Sequence, residues 1–145
     1  LVMDGRPIIG EQVIVLGQGV VGLLTTALLS RMLLSSLITA DAFPLRREKS
    51  VKLGAHFAFD PGEAQNYQEI IREFGKDGAN GADLVYEVSG NPAGLQLAID
   101  MTGFGGRIVV GFGMEAKELI LILGAVFTGI GCTLSAAKLV DLRQN

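Results

Sequence analysis

Three glycines with a fixed spacing are the residues of this sequence whose chemical use is clearest. Gly17, Gly19 and Gly22 form a G-x-G-x-x-G pattern between an apolar strand-like run and an apolar helix-like run. In such a turn the first glycine allows a tight bend, the second lets the backbone approach a pyrophosphate, and the third lets the helix pack on the strand. The helix start also offers free N–H groups to phosphates. The spacing predicts a dinucleotide-binding loop; the alternative is an ordinary glycine-rich turn.

An acidic residue follows the glycine pattern at the distance expected of a ribose ligand. Asp41 lies nineteen residues beyond Gly22, at the end of the second strand-like run. A carboxylate there accepts hydrogen bonds from ribose hydroxyls and repels a 2′-phosphate, which favours NAD over NADP. The alternative is an aspartate that caps the next helix. Arg46 and Arg47 leave NADP open, because an arginine can accommodate a 2′-phosphate, and we expect Arg46 to line the adenosine pocket.

Small residues follow two further strand-like runs. Val88, Ser89 and Gly90 end one of them, and Gly111 and Phe112 end the next. Ligands of doubly wound sheets cross the carboxyl ends of the strands, so these small residues would leave room for the nicotinamide half of the cofactor. The alternative is a pair of turns that merely end strands.

The order of the apolar runs predicts the elements that position these residues. Strand-like runs alternate with helix-like runs, which is typical of an α/β fold with a doubly wound parallel sheet of the Rossmann type, about six strands in the order 3-2-1-4-5-6. The predicted strands are residues 12–16, 37–40, 56–59, 82–87, 107–111 and 130–135, with 119–123 as a further strand-like run. The predicted helices are residues 20–34, 44 to just before Gly54, 63–74 and 91–101.

Composition excludes several functional classes. The 145 residues suit one domain, and 49% hydrophobic against 19% charged residues argues against disorder. A net charge of −3 with scattered basic residues argues against a nucleic-acid partner. The most apolar stretch, residues 119–134, is shorter than the roughly 20 residues that a membrane span needs, and no signal peptide opens the chain. We expect a cytoplasmic protein. The start at Leu1 and the loop-like segment 4–7 suggest a piece of a longer chain.

Catalytic and metal-ligating residues are not predicted in this chain. Cys132 and His56 are the single cysteine and the single histidine, too few for a zinc site. His56 has no partner motif and Glu87 is one carboxylate beside the expected cleft, not an acid/base pair. Neither Tyr67 nor Tyr86 is followed by lysine in the Tyr-x-x-x-Lys spacing that a short-chain reductase needs.

Four segments, taken in order, give the chain a family resemblance. They are GEQVIV at 10–15, LGA at 53–55 leading to FD at 59–60, GADLVYEVSG at 81–90 and GGRIVVG at 105–111. Together with the glycine pattern, they resemble the cofactor-binding domain of the medium-chain dehydrogenases, the family of zinc-containing alcohol, polyol and threonine dehydrogenases and their zinc-free quinone reductase relatives.

The resemblance implies a two-domain enzyme in which residues 1–145 bind the dinucleotide and an absent GroES-like catalytic domain holds zinc and substrate. It implies that Val20 and Val21 face the cofactor, that Asp41 and Arg46 hold the adenosine, and that residues 88–90, 111 and 112 flank the nicotinamide. The tail departs from the family, because residues 128–131 are Thr-Gly-Ile-Gly where similar relatives carry basic residues. Such an apolar edge could pair with a second copy, so we expect a homodimer.

Three functions remain open from the sequence. The first is the NAD-binding domain of an alcohol dehydrogenase-like oxidoreductase, which transfers hydride between nicotinamide and an alcohol or carbonyl substrate and would be inactive as this piece alone. The second is the same domain of a zinc-free quinone or enone reductase. The third is a non-catalytic nucleotide-sensing or interaction module, because a fold does not fix a function.

Overall fold

One parallel sheet organises the chain. The computed structural model describes residues 1–63, 67–74, 81–111 and 133–135. The helices are α1 (Val2–Gly5), α2 (Val20–Leu29), α3 (Pro44–Lys52), α4 (Tyr67–Phe74) and α5 (Pro92–Met101), and the strands are β1 (Gln12–Leu16), β2 (Ser36–Ala40), β3 (Phe57–Phe59), β4 (Ala82–Glu87), β5 (Thr102–Val110) and β6 (Thr133–Ser135).

The strand order confirms the predicted topology. The six strands lie in the order β3-β2-β1-β4-β5-β6, and every neighbouring pair is parallel. The order reverses between β1 and β4, so a crevice opens at the carboxyl ends of these two strands. Both lie in register, with Leu16 opposite Glu87 at that end. The turns that follow β1, β2, β3 and β4 therefore meet at one edge of the sheet.

Both faces of the sheet are buried, which explains why its strands are continuous apolar runs. All five residues of β1 and of β2 are buried. On the face covered by α4 and α5, the core is Ile14, Leu16, Ile38, Ala40, Phe59, Ile71, Ala82, Val85, Leu95, Ala98, Ile99, Met101 and Ile108. On the opposite face it is Val13, Val15, Leu29, Leu37, Leu84, Tyr86 and Val109, with Leu1 and Val2 packed against it.

Several element bounds differ from the prediction. The helix predicted to reach residue 34 ends at Leu29, where the Ser30 hydroxyl donates to the Ala27 carbonyl at 2.9 Å. The strand predicted from residue 107 begins at Thr102, which pairs with Ala82 of β4 where the backbones of Gly81 and Gly103 approach too closely for a Cβ. A short helix, α1, occupies part of the N-terminal segment that was expected to be a loop.

Other sequence predictions fall where the structure gives no description. Residues 119–123, Phe112 and Cys132 lie outside the described ranges, as do the first three residues of the predicted sixth strand. In the ranges that are described, no helix has both the length and the apolar character needed to cross a bilayer.

Candidate functional site

The glycine loop between β1 and α2 is shaped by backbone contacts that exclude side chains. Gly17 has φ +91°, and a Cβ there would lie 2.5 Å from the Ser89 Cα. A Cβ on Gly22 would overlap the Gly17 carbonyl oxygen. The first and third glycines of the pattern therefore allow the turn and the close approach of the helix, as the sequence predicts.

The second glycine faces open space. Apart from its two chain neighbours, no atom of the described residues lies within 4 Å of a Cβ built on Gly19, which is the residue that precedes α2. No side chain of the described residues caps this helix end. Free backbone N–H groups and the positive end of the helix dipole therefore border a space large enough for a bound anion.

Asp41 touches the glycine loop directly. Its Oδ2 accepts a hydrogen bond from the Gln18 N–H at 2.7 Å, and its Oδ1 accepts from the Phe43 N–H at 2.8 Å. The carboxylate is 94% buried in the protein. Each oxygen can accept a further bond, because a carboxylate has about four lone-pair sites. The two features that were found separately in the sequence thus form one contact in the structure.

The Gln18 side chain is held in place by hydrogen bonds of its own. Its amide group donates to the carbonyls of Val15 and Gly17 at 3.2 and 3.1 Å, and its Oε1 accepts from the Thr26 hydroxyl at 2.9 Å. Gln18 is completely buried. A variable position of the glycine pattern therefore fixes the loop to strand β1 and helix α2.

Two neighbouring arginines on α3 have different surroundings. The Arg46 guanidinium stacks on the Phe43 ring at 4.6 Å from its centroid and lies 3.6 Å from the Asp41 Oδ2. Arg47 instead bonds to two carbonyls and to Asp60. Arg46 thus lies beside the Asp41 carboxylate, while Arg47 is bonded to the turns that follow β2 and β3.

The turn between β4 and α5 is built around a buried carboxyl group. Glu87, at the end of β4, accepts hydrogen bonds through Oε1 from the Ser89 N–H at 2.8 Å and from the Ser89 hydroxyl. A Cβ on Gly94, in the first turn of α5, would lie 2.6 Å from both Glu87 Oε1 and Ser89 Oγ. The Asn91 side chain caps α5 by accepting from the Ala93 N–H at 3.0 Å. These contacts fix the turn between β4 and α5.

A cleft of about 550 Å³ lies between the glycine loop with Asp41 and Arg46 on one side and the turn between β4 and α5 on the other. This volume is within the range of small-molecule and cofactor sites. The lining residues are Leu16, Gly17, Gly19, Ala40, Asp41, Ala42, Phe43, Arg46, Asp60, Pro61, Gly62, Val88, Ser89, Asn91, Ala93, Gly94 and Leu97.

Half of the residues predicted from the sequence line this cleft. They are Gly17, Gly19, Asp41, Arg46, Val88 and Ser89. Five others lie near it without lining it, namely Val20, Val21, Gly22, Gly90 and Gly111. Of these, Gly22 supports the loop, and Val20 is 77% exposed. Gly111 donates its N–H to the Glu87 carbonyl at 2.7 Å, which places it beside the β4 wall. Phe112 lies outside the described residues.

Sequence reasoning missed the part of the lining that comes from neighbouring turns. Asp60 to Gly62 follow β3, and Phe43 follows β2. Asn91 and Gly94 belong to the start of α5. A usable signal existed, because the carboxyl ends of all parallel strands meet at one edge of the sheet. The Asp60-Pro61-Gly62 turn could have been assigned to the site on that ground.

Burial raises the pKa of the Glu87 carboxyl above its ordinary value, and the two hydrogen bonds from Ser89 oppose this shift. Its Oε2 has no hydrogen-bond partner among the described residues. A folded pKa above the unfolded one means that the folded state binds more protons. The contribution of this group to stability is therefore present below the unfolded pKa and is lost as the pH rises through the folded pKa.

A Glu87→Gln variant should therefore gain stability relative to the wild type as the pH rises from about 4, near the ordinary carboxyl pKa, toward 8. The neutral amide still accepts from Ser89 but has no charge to desolvate. Urea unfolding at several pH values measures the difference in free energy of unfolding between the two proteins. Glu63→Gln, at an exposed position, is the control. If the difference in free energy of unfolding between Glu87→Gln and the wild type does not change with pH, the raised pKa of Glu87 is contradicted.

No group of three His, Cys, Asp or Glu side chains is placed to hold a metal ion within the described ranges. These residues therefore do not fit a zinc centre. The open space at Gly19 and the remaining acceptor sites of Asp41 do fit a dinucleotide, whose diphosphate and ribose hydroxyls need N–H donors and a carboxylate.

A protein-family model described as "Zinc-binding dehydrogenase" matches residues 20–134. Among curated proteins, the sorbitol dehydrogenase of Bacillus subtilis (strain 168) is 33% identical over 101 residues, which are 70% of this chain and 28% of that protein. The L-threonine 3-dehydrogenase of Solibacter usitatus (strain Ellin6076) is 30% identical over 115 residues, 79% of this chain and 33% of that protein. The chain thus spans about a third of these relatives or less.

Among solved structures, an alcohol dehydrogenase from Thermus sp. ATN1 aligns with a TM-score of 0.70 and 27% identity. The alignment covers 92% of this chain and 38% of that one. In the sequence comparisons and in the structure comparison alike, the chain therefore matches a part of a larger dehydrogenase.

Proposed function

We infer the function from family membership: this chain belongs to the zinc-binding dehydrogenase family of medium-chain dehydrogenases. We propose that residues 1–145 are the NAD-binding domain of an alcohol dehydrogenase-like oxidoreductase, and that a GroES-like catalytic domain completes the enzyme. The bound cofactor supplies hydride exchange at its nicotinamide ring with an alcohol or carbonyl carbon. The part of this chain is to bind and orient the dinucleotide.

The observation that carries the proposal is the contact between the glycine loop and Asp41. The Gln18 N–H donates to the Asp41 Oδ2 at 2.7 Å, directly beside the open space at Gly19. A diphosphate at the start of α2 and a ribose at Asp41 would thus lie next to each other, as they do in a dinucleotide.

The two halves of the cofactor would lie on either side of this contact. Phe43 and Arg46 would border the adenosine. Residues 88–90, 111 and 112, with Val20 and Val21, would flank the nicotinamide, because they lie at the carboxyl ends of β4 and β5 and at the start of α2.

Charge favours NAD over NADP. The buried Asp41 carboxylate would repel the 2′-phosphate of NADP and can accept hydrogen bonds from the free ribose hydroxyls of NAD. Arg46 does not reverse this preference, because Asp41 already lies 3.6 Å from its guanidinium and offsets its charge.

Pairing of two copies would be compatible with the sheet. Among the described strands β6 is the outermost, next to β5, and an edge strand has unpaired backbone groups. We propose that two copies form a homodimer through this edge. Sedimentation equilibrium tests the proposal, and a full-length protein that sediments as a monomer would reject it.

The proposed cofactor site is tested by titrating the purified chain with NADH and with NADPH in a calorimeter. The wild type should bind NADH more tightly. Asp41→Ala should weaken NADH binding by about tenfold or more, since a hydrogen bond to a charged group contributes about 1.5–3 kcal/mol. The NADPH affinity should fall less or rise.

A remote acidic residue provides the matched control. Asp4 is exposed and pairs with the N-terminal amine, away from the cleft. Asp4→Ala should leave both affinities unchanged. Equal NADH affinity in the wild type and in folded Asp41→Ala would reject Asp41 as the ribose ligand, and a folded wild type that binds neither nucleotide would reject the proposed function.

A further inference from the structure

Arg47 links two turns that line the cleft. Its Nη1 lies 2.7 Å from the Asp41 carbonyl, 2.9 Å from the Ala42 carbonyl and 2.8 Å from the Asp60 Oδ2. The first two acceptors follow β2, and the third follows β3. One side chain of α3 therefore ties the ends of two neighbouring strands together. We refer to Arg47 and Asp60 as the arginine clamp.

The clamp acts on the residue that the proposed function assigns to the ribose. The Asp41 N–H also donates to the Phe59 carbonyl at 3.2 Å, so Asp41 is fixed to the end of β3 through its own backbone as well. Asp60 uses its second oxygen to accept from the Gly62 N–H at 2.9 Å. The backbone that presents the Asp41 carboxylate and the turn facing it thus depend on the same ion pair.

The neighbouring arginine is not part of this arrangement. The Arg47 side chain is 20% exposed and its partner Asp60 17%, whereas the Arg46 side chain is 47% exposed. Charge-assisted hydrogen bonds in a partly desolvated place are stronger than exposed ones. Arg47 is therefore held by three acceptors and is not free to meet a 2′-phosphate, although the sequence left that role open for it.

From this geometry we propose that Arg47 is a positioning residue that fixes Asp41 and so contributes to the preference for NAD over NADP. The inference rests on the proposed function. Without the guanidinium, two carbonyls and the Asp60 carboxylate lose their donor, and the ends of β2 and β3 are held together by fewer bonds. The Asp41 carboxylate then samples more positions and discriminates less between a ribose hydroxyl and a 2′-phosphate.

The test compares the ratio of NADPH to NADH dissociation constants in the wild type and in Arg47→Gln, both as the 145-residue chain. We expect this ratio to fall by about fivefold, the factor that follows from weakening one hydrogen bond of ordinary strength. A purely structural role would lower the unfolding temperature and leave the ratio unchanged. Arg47→Lys, which keeps the charge, should restore part of the ratio.

Two further variants keep the test decisive. Lys49→Gln removes a positive charge from an exposed position of the same helix and should leave the ratio as it is. Asp60→Asn removes the charge of the clamp but retains acceptor oxygen, so it should fold and lower the ratio in the same direction by a smaller factor. If Arg47→Gln does not fold, the ratio measured for Asp60→Asn decides whether the arginine clamp affects cofactor preference.

The outcomes separate the inference from the function on which it rests. A wild-type chain that is folded and binds neither NADH nor NADPH overturns both. If the wild type prefers NADH and the ratio is unchanged in folded Arg47→Gln, the role of the clamp is overturned and the proposed function is left intact. If Arg47→Gln does not fold, an unchanged ratio in Asp60→Asn has the same meaning.

Discussion

Gly19→Val is expected to abolish measurable NADH binding while leaving the chain folded. Apart from the two chain neighbours, a Cβ at this position meets no atom of the described residues within 4 Å, and the backbone, with φ −69° and ψ −166°, is extended, a conformation that does not require glycine. The isopropyl group would instead fill the space that the proposed function assigns to the diphosphate at the start of α2. Loss of two charge-assisted hydrogen bonds of about 1.5–3 kcal/mol each corresponds to about a hundredfold or more in affinity.

Calorimetric titration and urea unfolding of the same preparation measure both parts of this result. The free energy of unfolding should change by less than about 1 kcal/mol, because the loss of a favourable N-cap residue and the reduced entropy of the unfolded chain oppose each other. Gly19→Ala adds a single methyl group and should reduce the affinity less. If Gly19→Val binds NADH as the wild type does, the diphosphate does not lie at this loop.

Gly22→Ala, in contrast to Gly19→Val, should greatly lower the free energy of unfolding. The added methyl group would overlap the Gly17 carbonyl oxygen and lie 2.8 Å from its carbon, so backbone would have to move. Such overpacking costs about 3 kcal/mol. In a helix of no special packing, glycine to alanine would instead stabilise by about 0.5–1 kcal/mol, so the sign of the change is informative.

Thermal and urea unfolding check this prediction, with Gly19→Ala as the matched control in the same loop. For a chain of this size about 3 kcal/mol lowers the unfolding temperature by about 10 °C. Unchanged or increased stability of Gly22→Ala would show that the helix does not approach the strand as closely as the structure has it.

The order of elements was predictable because its signals are local. Strands β1 and β4 are short apolar runs, helices α3 and α5 begin at Pro44 and Pro92, and Gly54 with φ +109° follows α3. The glycine loop and Asp41 were found in the same way, since a known spacing relates them.

What could not be predicted depends on residues that meet only after folding. Arg47 finds Asp60 thirteen positions further along the chain, and no spacing rule relates the two. The end of α2 was placed too late because Leu33 continues the apolar pattern, yet it is 74% exposed and its carbonyl accepts from the Gly10 N–H at 2.7 Å. A tertiary hydrogen bond there overrides the local preference for helix.

The bond between Gln18 and Asp41 has a consequence for protein engineering. If the proposed preference for NAD holds, removing the Asp41 carboxylate to admit a phosphorylated cofactor would leave the Gln18 and Phe43 N–H groups without their acceptors. A redesign would need a new acceptor for both amides before any gain from a cationic pocket could appear. Serine or asparagine at position 41 is therefore a better starting point than alanine, because the proposed ribose ligand also supports the loop itself.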